Sequence, residues 1–468
     1  MNYKYLTLEK WLLDGIHTRR WNVGERLPSI RQLCSQHKVS KATAQHALQR
    51  IEARGLTEAR PKAGYFVIYA LADPIAKPQP VDAPRLITTS DLFLDIMSRS
   101  AAFDLLPYQA SEAVESTLVT LNRAIGRSLR QQGDAGHQYY DDPMGSYSLR
   151  EQLSIHHRKR GWDGRPEQLC ITSGCQNALF LSLMAVCKKG DIVAVETPGF
   201  YGVLQLLEQL QLHVIEIPSS ATTGLNIDAL AEAAKRWHIR ACVVSPAFAT
   251  PSGALMPMTA KLALLALAET HDIAIIEDDI YADTALLETP TPLKALDRDD
   301  RVILCSSFSK CLSRDIRLGW VSGARWHKKI VHLKLVTQLS SSRFLQQAMA
   351  NFMRDGHYTT HLKRQRSMLK NQKETLIASL NNWSNDIKLS NPEGGLSIWV
   401  ELPHSVDLLA TYSLALNKGI VITPGPLFSV SGQFKHCLRI SFVHAWNTAR
   451  RQALTQLTEL LTSLIEES

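Results

Sequence analysis

Between residues 169 and 305 of this 468-residue chain, short apolar runs alternate with helical patterns, and this restricts the fold more than any other feature. The runs are Leu169–Thr172, Ile192–Glu196, Ala241–Ser245, Ile273–Glu277 and Val302–Cys305. Such alternation predicts an α/β fold, a mostly parallel sheet with helices on both faces. Ligands in open sheets of this kind collect outside the carboxyl ends of the strands. Each run here ends in a polar or small-residue motif, so motifs far apart in the chain should meet in space.

The last run breaks into Ser306-Ser307-Phe308-Ser309-Lys310 and reaches Arg317 seven residues after the lysine. A lysine at the end of a buried strand is unusual, because its ammonium prefers water. Ser307 and Ser309 add hydroxyl donors, and Arg317 adds a planar fork suited to phosphate oxygens. A solvated turn with incidental serines is the plain reading. A phosphorylated aldehyde cofactor, joined to Lys310 as a Schiff base, is an arrangement that uses all four residues. Earlier in the chain, Thr172-Ser173-Gly174-Cys175-Gln176 opens an apolar helix. Its start is a phosphate site, with Gly174 permitting close approach and Cys175 and Gln176 supplying backbone amides.

The Ser307-x-Ser309-Lys310 segment with Arg317 resembles the pyridoxal-phosphate lysine segment of fold-type I aminotransferases. That resemblance extends to Glu196-Thr197-Pro198-Gly199-Phe200, where it implies that Phe200 stacks on the cofactor ring. In Asp278-Asp279-Ile280-Tyr281 it implies a carboxylate, Asp278, against the pyridine nitrogen and a hydroxyl, Tyr281, on the 3′-oxygen. The tyrosine spacing selects Asp278 over Asp279. Tyr140, in Tyr140-Asp141-Asp142-Pro143-Met144-Gly145, would reach the cofactor phosphate of a neighbouring subunit in a homodimer. Glu393-Gly394-Gly395 and Thr423-Pro424-Gly425-Pro426-Leu427-Phe428 are similar to segments of the family's small C-terminal α+β domain, and Arg439 matches the arginine that clamps a substrate carboxylate. Two departures stand out: Thr250 replaces the asparagine that bonds the 3′-oxygen, and Arg314-Asp315 replaces a Pro-Gly ahead of Arg317. Both touch the electronics or entrance of the site. The resemblance therefore implies cofactor binding at Lys310 with little or no transaminase turnover.

Charge sets the N-terminus apart. Residues 1–70 hold twelve Lys/Arg against five Asp/Glu, whereas the remaining chain holds 40 against 39. A small basic head on a near-neutral body suggests a polyanion partner. Residues 3–17 read as a helix. Ser29, with Gln32 three residues on, caps a second helix ending near His37, and Ser40 caps a third running to about Ala53. Extended segments Leu56–Ala59 and Tyr65–Ile68 follow as a two-stranded wing, so the head reads as a winged helix-turn-helix. It resembles the GntR type through Gly24-Glu25-Arg26-Leu27-Pro28-Ser29-Ile30-Arg31, Val39-Ser40-Lys41-Ala42-Thr43 and Gly64-Tyr65-Phe66-Val67. In such folds the third helix enters the major groove of double-stranded DNA, so Lys41, Thr43 and Gln45 should face the DNA, Gln45 towards adenine and Lys41 towards guanine or a phosphate. Arg26, Arg31 and, from the Gly64 wing, Lys62 should grip phosphates. Residues 71–90 carry four prolines and no periodicity, which predicts a semi-rigid linker to a body over 91–468.

The eight cysteines show no C-x-x-C pair or zinc spacing, and neither a signal peptide nor a membrane-spanning run is visible. These features predict reduced thiols and a cytoplasmic protein. A GntR-type head on an aminotransferase-like body is the layout of the MocR subfamily of transcriptional regulators. The resemblance implies a DNA-binding regulator that holds pyridoxal phosphate and senses an amino compound or the cofactor itself. The alternatives are an aminotransferase with an appended head, and a regulator that uses a cofactor-free body only to dimerise.

Overall fold

The computed structural model describes residues 4–17, 20–22, 24–54, 56–61, 63–68, 91–99, 104–107, 116–131, 140–381, 383 and 387–466. The linker expected over 71–90, and Lys62 on the wing, lie outside the described residues. The head comprises helices α1 (Lys4–His17), α2 (Ile30–His37) and α3 (Lys41–Ala53), followed by antiparallel strands β1 (Thr57–Arg60) and β2 (Gly64–Val67). Its start signals act as the sequence predicts. The Ser29 hydroxyl accepts from Gln32 N at 3.3 Å while Gln32 Oε1 accepts from Ser29 N at 2.8 Å. The Ser40 hydroxyl caps α3 through Thr43 N at 3.1 Å. Lys38 closes α2 in the left-handed region (φ 51°), which turns the chain sharply into α3. Leu8, Leu12, Leu33, Ala44, Leu48 and Ile51 are fully buried between the three helices.

The body is built on eight strands in the order β3-β12-β11-β10-β7-β4-β5-β6. They are β3 (Leu169–Thr172), β4 (Ile192–Thr197), β5 (His213–Ser220), β6 (Gly224–Leu225), β7 (Ile239–Val244), β10 (Ala274–Asp278), β11 (Val302–Ser307) and β12 (Gly319–Ser322), with a small hairpin β8 (Ala247–Ala249) and β9 (Ala254–Leu255) outside the sheet. The five predicted runs are strands, with ends displaced by up to two residues. The central strands β11, β10, β7, β4 and β5 are parallel. Residues alternate between two cores, as a sheet covered on both faces requires. Val193, Val195, Ala241, Val243 and Ile276 face one layer, which includes helix Cys175–Val186. Ala194, Cys242 and Ile275 face the other, under helices Ile227–Arg236 and Met258–Thr270.

Strand β12 runs against both β11 and β3. Gly319, at its start, pairs with Thr172 at the end of β3 and Ser307 at the end of β11, so Arg317 emerges at the same edge where the parallel strands finish. That single reversal brings the two ends of the Lys310 segment together. A second antiparallel sheet follows, β13 (Lys388–Leu389), β14 (Ser397–Glu401), β15 (Thr423–Pro424) and β16 (Cys437–Ser441), in the order β13-β14-β16-β15. Helix Leu408–Asn417 and the closing helix Thr448–Glu466 accompany it as the small α+β unit.

The sequence suggests that head and body meet only through the linker, and the structure differs. Asn391 Nδ2 donates to the Arg54 carbonyl at 3.0 Å, and Arg54 Nε lies 3.3 Å from Glu393. Arg54 follows the last residue of α3, so this helix ends on the small unit.

Candidate functional site

Lys310 follows the carboxyl end of β11 by three residues, in a turn held from behind. Cys311 Sγ lies 3.1 Å from the Tyr358 hydroxyl, Tyr358 donates to Asp283 at 2.7 Å, and His361 Nε2 meets the Cys311 carbonyl at 2.7 Å. Ser309 N donates to the Ser307 hydroxyl at 3.3 Å, closing the turn in front. Burial, with Arg314 and Arg439 nearby, holds the Lys310 ammonium well below the usual lysine range, against the opposing pull of Asp278 and Cys175. A lysine with that environment keeps more of its amine neutral, the form that attacks a carbonyl.

Asp278 ends β10 on the Lys310 side, whereas Asp279, just past the strand, turns to Arg160 instead. Asp279 is held by Arg160 at 2.5 and 2.7 Å, a buried bidentate pair. Asp278 accepts from Cys175 Sγ and Ile280 N, each at 3.3 Å. Burial raises its carboxyl to about 6, and those two donors moderate the rise. Tyr281 is buried, and burial raises its phenol above its ordinary value, with the nearby Arg439 and Thr250 side chains pulling the other way. Thr250 itself follows hairpin strand β8 and is buried.

The start of helix Cys175–Val186 lies across β12 from the end of β11. Helix Cys175–Val186 starts after Gly174 (φ 96°), with no side chain capping its N–H groups. Arg317 donates to the Ser309 hydroxyl at 3.2 Å and to the Ser173 carbonyl at 3.1 Å. A Cβ on Gly174 would lie 2.7 Å from Arg317 Nη2, and one on Gly319 would lie 2.6 Å from Gly174 C. Both glycines are therefore what lets guanidinium and helix terminus approach. Gln176 Nε2 donates to the Gly202 carbonyl at 2.7 Å, and the Phe200 ring crowds the same glycine. A helix N-terminus with a guanidinium at one end, a buried carboxylate at the other and an amine between them fit a phosphorylated pyridine aldehyde.

Arg439 enters from β16 of the small unit. It is 3 % exposed and lies 5.3 Å from the Phe428 ring and 5.8 Å from the Tyr201 ring. Tyr140 stands apart from this assembly in its own chain, 77 % exposed. The sequence reading does not single out Tyr201, which packs 5.0 Å from Phe200, or Arg160, which secures Asp279. Arg160 carries no local signal, since its partner is 119 residues away. Cys175 was expected only as a backbone amide, and its thiol contact with Asp278 depends on a pairing of separate strands.

On the head, Lys41 and Gln45 are exposed on the first turns of α3, with Ala44 buried between them. Thr43 is half-buried, its hydroxyl 2.8 Å from that of Ser40. Arg31 is exposed on α2, and Arg26 bridges to Phe66 beside Gly64 (φ 106°), where a Cβ would sit 3.0 Å from Arg26 Nε.

Residues 4–67 match the bacterial regulatory proteins of the gntR family, and residues 112–455 match aminotransferase class I and II. The chain is 36 % identical over 476 residues to YjiR of Escherichia coli strain K12, covering 99 % of this chain and 100 % of that one. It is 32 % identical over 464 residues to YdcR of the same organism, covering 98 % and 99 %. Both relatives are described as uncharacterized HTH-type transcriptional regulators. A crystal structure of kynurenine aminotransferase from Pyrococcus horikoshii superposes with a TM-score of 0.72 at 25 % identity, over 81 % of this chain and 95 % of that one. With a GntR-type winged helix matched at one end and an aminotransferase fold over most of the remainder, the chain belongs to the GntR-family regulators of the MocR-type architecture.

Proposed function

We propose that the protein is a transcriptional regulator that binds double-stranded DNA through its head and holds pyridoxal phosphate on Lys310, where an amino compound is sensed. The observation that carries this reading is the convergence of Lys310, Asp278, Tyr281, Arg317 and the Gly174 helix terminus at one sheet edge, in a chain that also bears a winged helix. Bound there, the cofactor supplies an electron-withdrawing ring and a carbonyl that a free amine can take over. Arg317, Ser309 and the amides of Cys175 and Gln176 would anchor its phosphate, and Ser307 holds the turn through Ser309 N. Asp278 would keep the ring nitrogen protonated, Phe200 would cover the ring, and Tyr281 with Thr250 would face the 3′-oxygen. Tyr140 would serve the partner site of a homodimer, and Arg439 would receive an effector carboxylate. In the groove, Lys41 and Gln45 would face base edges with Thr43 behind them, while Arg26, Arg31 and Lys62 meet phosphates.

An aminotransferase with an appended head is the second reading, favoured by the presence of Lys310, Asp278, Tyr281 and Arg439 together. One paired experiment tests the first reading. Lys310→Ala should lose the borohydride-reducible visible absorbance of the purified protein yet keep its DNA affinity. Lys41→Ala should do the reverse, losing about one to two decades of DNA affinity. A reducible, covalently attached cofactor in Lys310→Ala would refute the lysine assignment. Unchanged DNA affinity in Lys41→Ala and Arg31→Ala would refute the groove assignment.

A further inference from the structure

One tyrosine grips the chain on both sides of Lys310. Tyr358, fully buried near the start of helix His357–Leu380, sets its ring edge-to-face against Phe308, with centroids 5.5 Å apart. Its hydroxyl lies 3.1 Å from Cys311 Sγ and donates to Asp283 at 2.7 Å. Asp283 belongs to the short turn Ala282–Thr284, which is pinned to Tyr281: Thr284 N and the Thr284 hydroxyl donate to the Tyr281 carbonyl at 2.8 and 2.6 Å. The ladder between β10 and β11 ends at Asp278 and Cys305, and both Tyr281 and Lys310 lie beyond it. Tyr358 therefore ties together, past the end of the sheet, the segment that carries Asp278 and Tyr281 and the segment that carries Lys310.

The protons in this tie have fixed places. His156 Nε2 lies 3.0 Å from both Asp283 oxygens. Burial alone would raise the Asp283 carboxyl, but His156, Arg160 and Tyr358 outweigh it and hold the group below the usual carboxylate range. An ionised carboxylate only accepts, so the Tyr358 hydroxyl gives it its one proton, and the Cys311 thiol is left to donate to the phenolic oxygen. Burial, then Asp283, pushes both the phenol and the thiol above their ordinary values, so both keep their protons. The Cys311 carbonyl is held as well, 2.7 Å from His361 Nε2 on the next turn of the same helix. A buried chain of bonds with every donor assigned admits one arrangement of the residue beside the lysine.

We propose that Tyr358 and Asp283 are positioning residues for Lys310, acting through Cys311 to hold the amine where it meets the cofactor carbonyl, a role that rests on the reading of Lys310 as a cofactor site. An amine held in place competes with free amines as if it were highly concentrated, and that advantage depends on geometry. A loosened turn should therefore show as easier displacement of Lys310 and not only as lower stability.

The test uses full-length, cofactor-loaded protein and methylamine, a probe that needs no carboxylate-binding residue. Methylamine nitrogen bonds to the cofactor carbon as Lys310 Nζ leaves it, and one proton passes from the incoming amine to the leaving one. Borohydride then fixes to the chain only the cofactor still on Lys310, which is read by mass. In Tyr358→Phe, which keeps the ring and removes the hydroxyl, the methylamine midpoint should fall about tenfold or more. Cys311→Ala should lower it likewise, and the double variant should lower it no further than either change alone. Leu369, fully buried in a separate cluster on the same helix, supplies the control. Leu369→Ala opens a cavity there, and its midpoint should stay with the wild type. A midpoint unchanged in Tyr358→Phe or in Cys311→Ala, or lowered as much in Leu369→Ala, overturns the positioning role and leaves the cofactor site standing. Wild-type protein on which borohydride fixes no cofactor would instead overturn the cofactor reading itself.

Discussion

Asp278 shows how one residue's surroundings set a property of the whole site. Its carboxyl is raised to about 6, chiefly by burial, and Glu196 is raised to about 7 for the same reason. An acid whose folded value lies above its unfolded value binds its proton more tightly when folded. Its contribution to stability is complete below the unfolded value near 4 and is lost as pH rises through the folded value. Cofactor-free protein should therefore melt at a lower temperature at pH 8 than at pH 5, with each such group costing about 1–3 kcal/mol. A cationic ring nitrogen against Asp278 favours the carboxylate, so cofactor affinity should climb as pH rises through about 6. Removing the Cys175 donor in Cys175→Ala should move that climb to higher pH, and Cys175→Ser should leave it nearly in place. A midpoint unmoved by Cys175→Ala would show that the thiol does not act on Asp278. The sequence makes Lys310, Arg317, Asp278 and Tyr281 legible because each sits at a fixed spacing within its own segment. Cys175 beside Asp278 and Arg160 on Asp279 are products of strand order, which local spacing does not encode.

Among the elements, the apolar runs were the most legible, since strands buried on both faces need uninterrupted hydrophobic residues. Strand β5, reading His213-Val214-Ile215-Glu216-Ile217-Pro218-Ser219-Ser220, is not among the predicted runs. It carries a glutamate that accepts from Val430 N and Ser431 N at 2.8 and 3.2 Å, tying the sheet to the small unit. The reversal of β12 was equally invisible, because pairing direction is settled by partners far along the chain. In the head, the caps of α2 and α3 were readable while the tie between α1 and α3 was not. Glu9, 3 % exposed on α1, meets Arg50 at 2.6 Å and Arg54 at 2.8 Å. Both arginines remain partly in water, which weakens the pairing. Glu9→Gln should still lower the unfolding free energy of the head by about 1–2 kcal/mol, read from denaturant midpoints. An unchanged midpoint would show that hydrophobic contacts alone hold α1 to α3.

Taken as a whole molecule, the chain places one loop, 391–395, between its two ends. Asn391 and Glu393 meet Arg54 at the end of α3, while Leu286 N donates to the Glu393 carbonyl at 2.8 Å and Gly395 N to the Thr284 hydroxyl at 2.9 Å. That hydroxyl donates to the Tyr281 carbonyl at 2.6 Å, so the 391–395 loop touches both the head and the candidate site. A ligand that binds two arrangements of the site unequally would therefore shift the docking of the recognition helix, a switch that needs no turnover. The most direct test combines two readings on one sample. Full-length, cofactor-loaded protein is mixed with labelled operator selected from a random DNA pool, and a panel of amino acids and amines is added while anisotropy and keto-acid formation are followed together. At least one compound should change DNA affinity about fivefold or more with no keto acid released beyond a trace. Rapid keto-acid production at ordinary enzyme rates, about 1 per second or faster, with DNA affinity unmoved by every compound, would contradict the account and make the protein an aminotransferase.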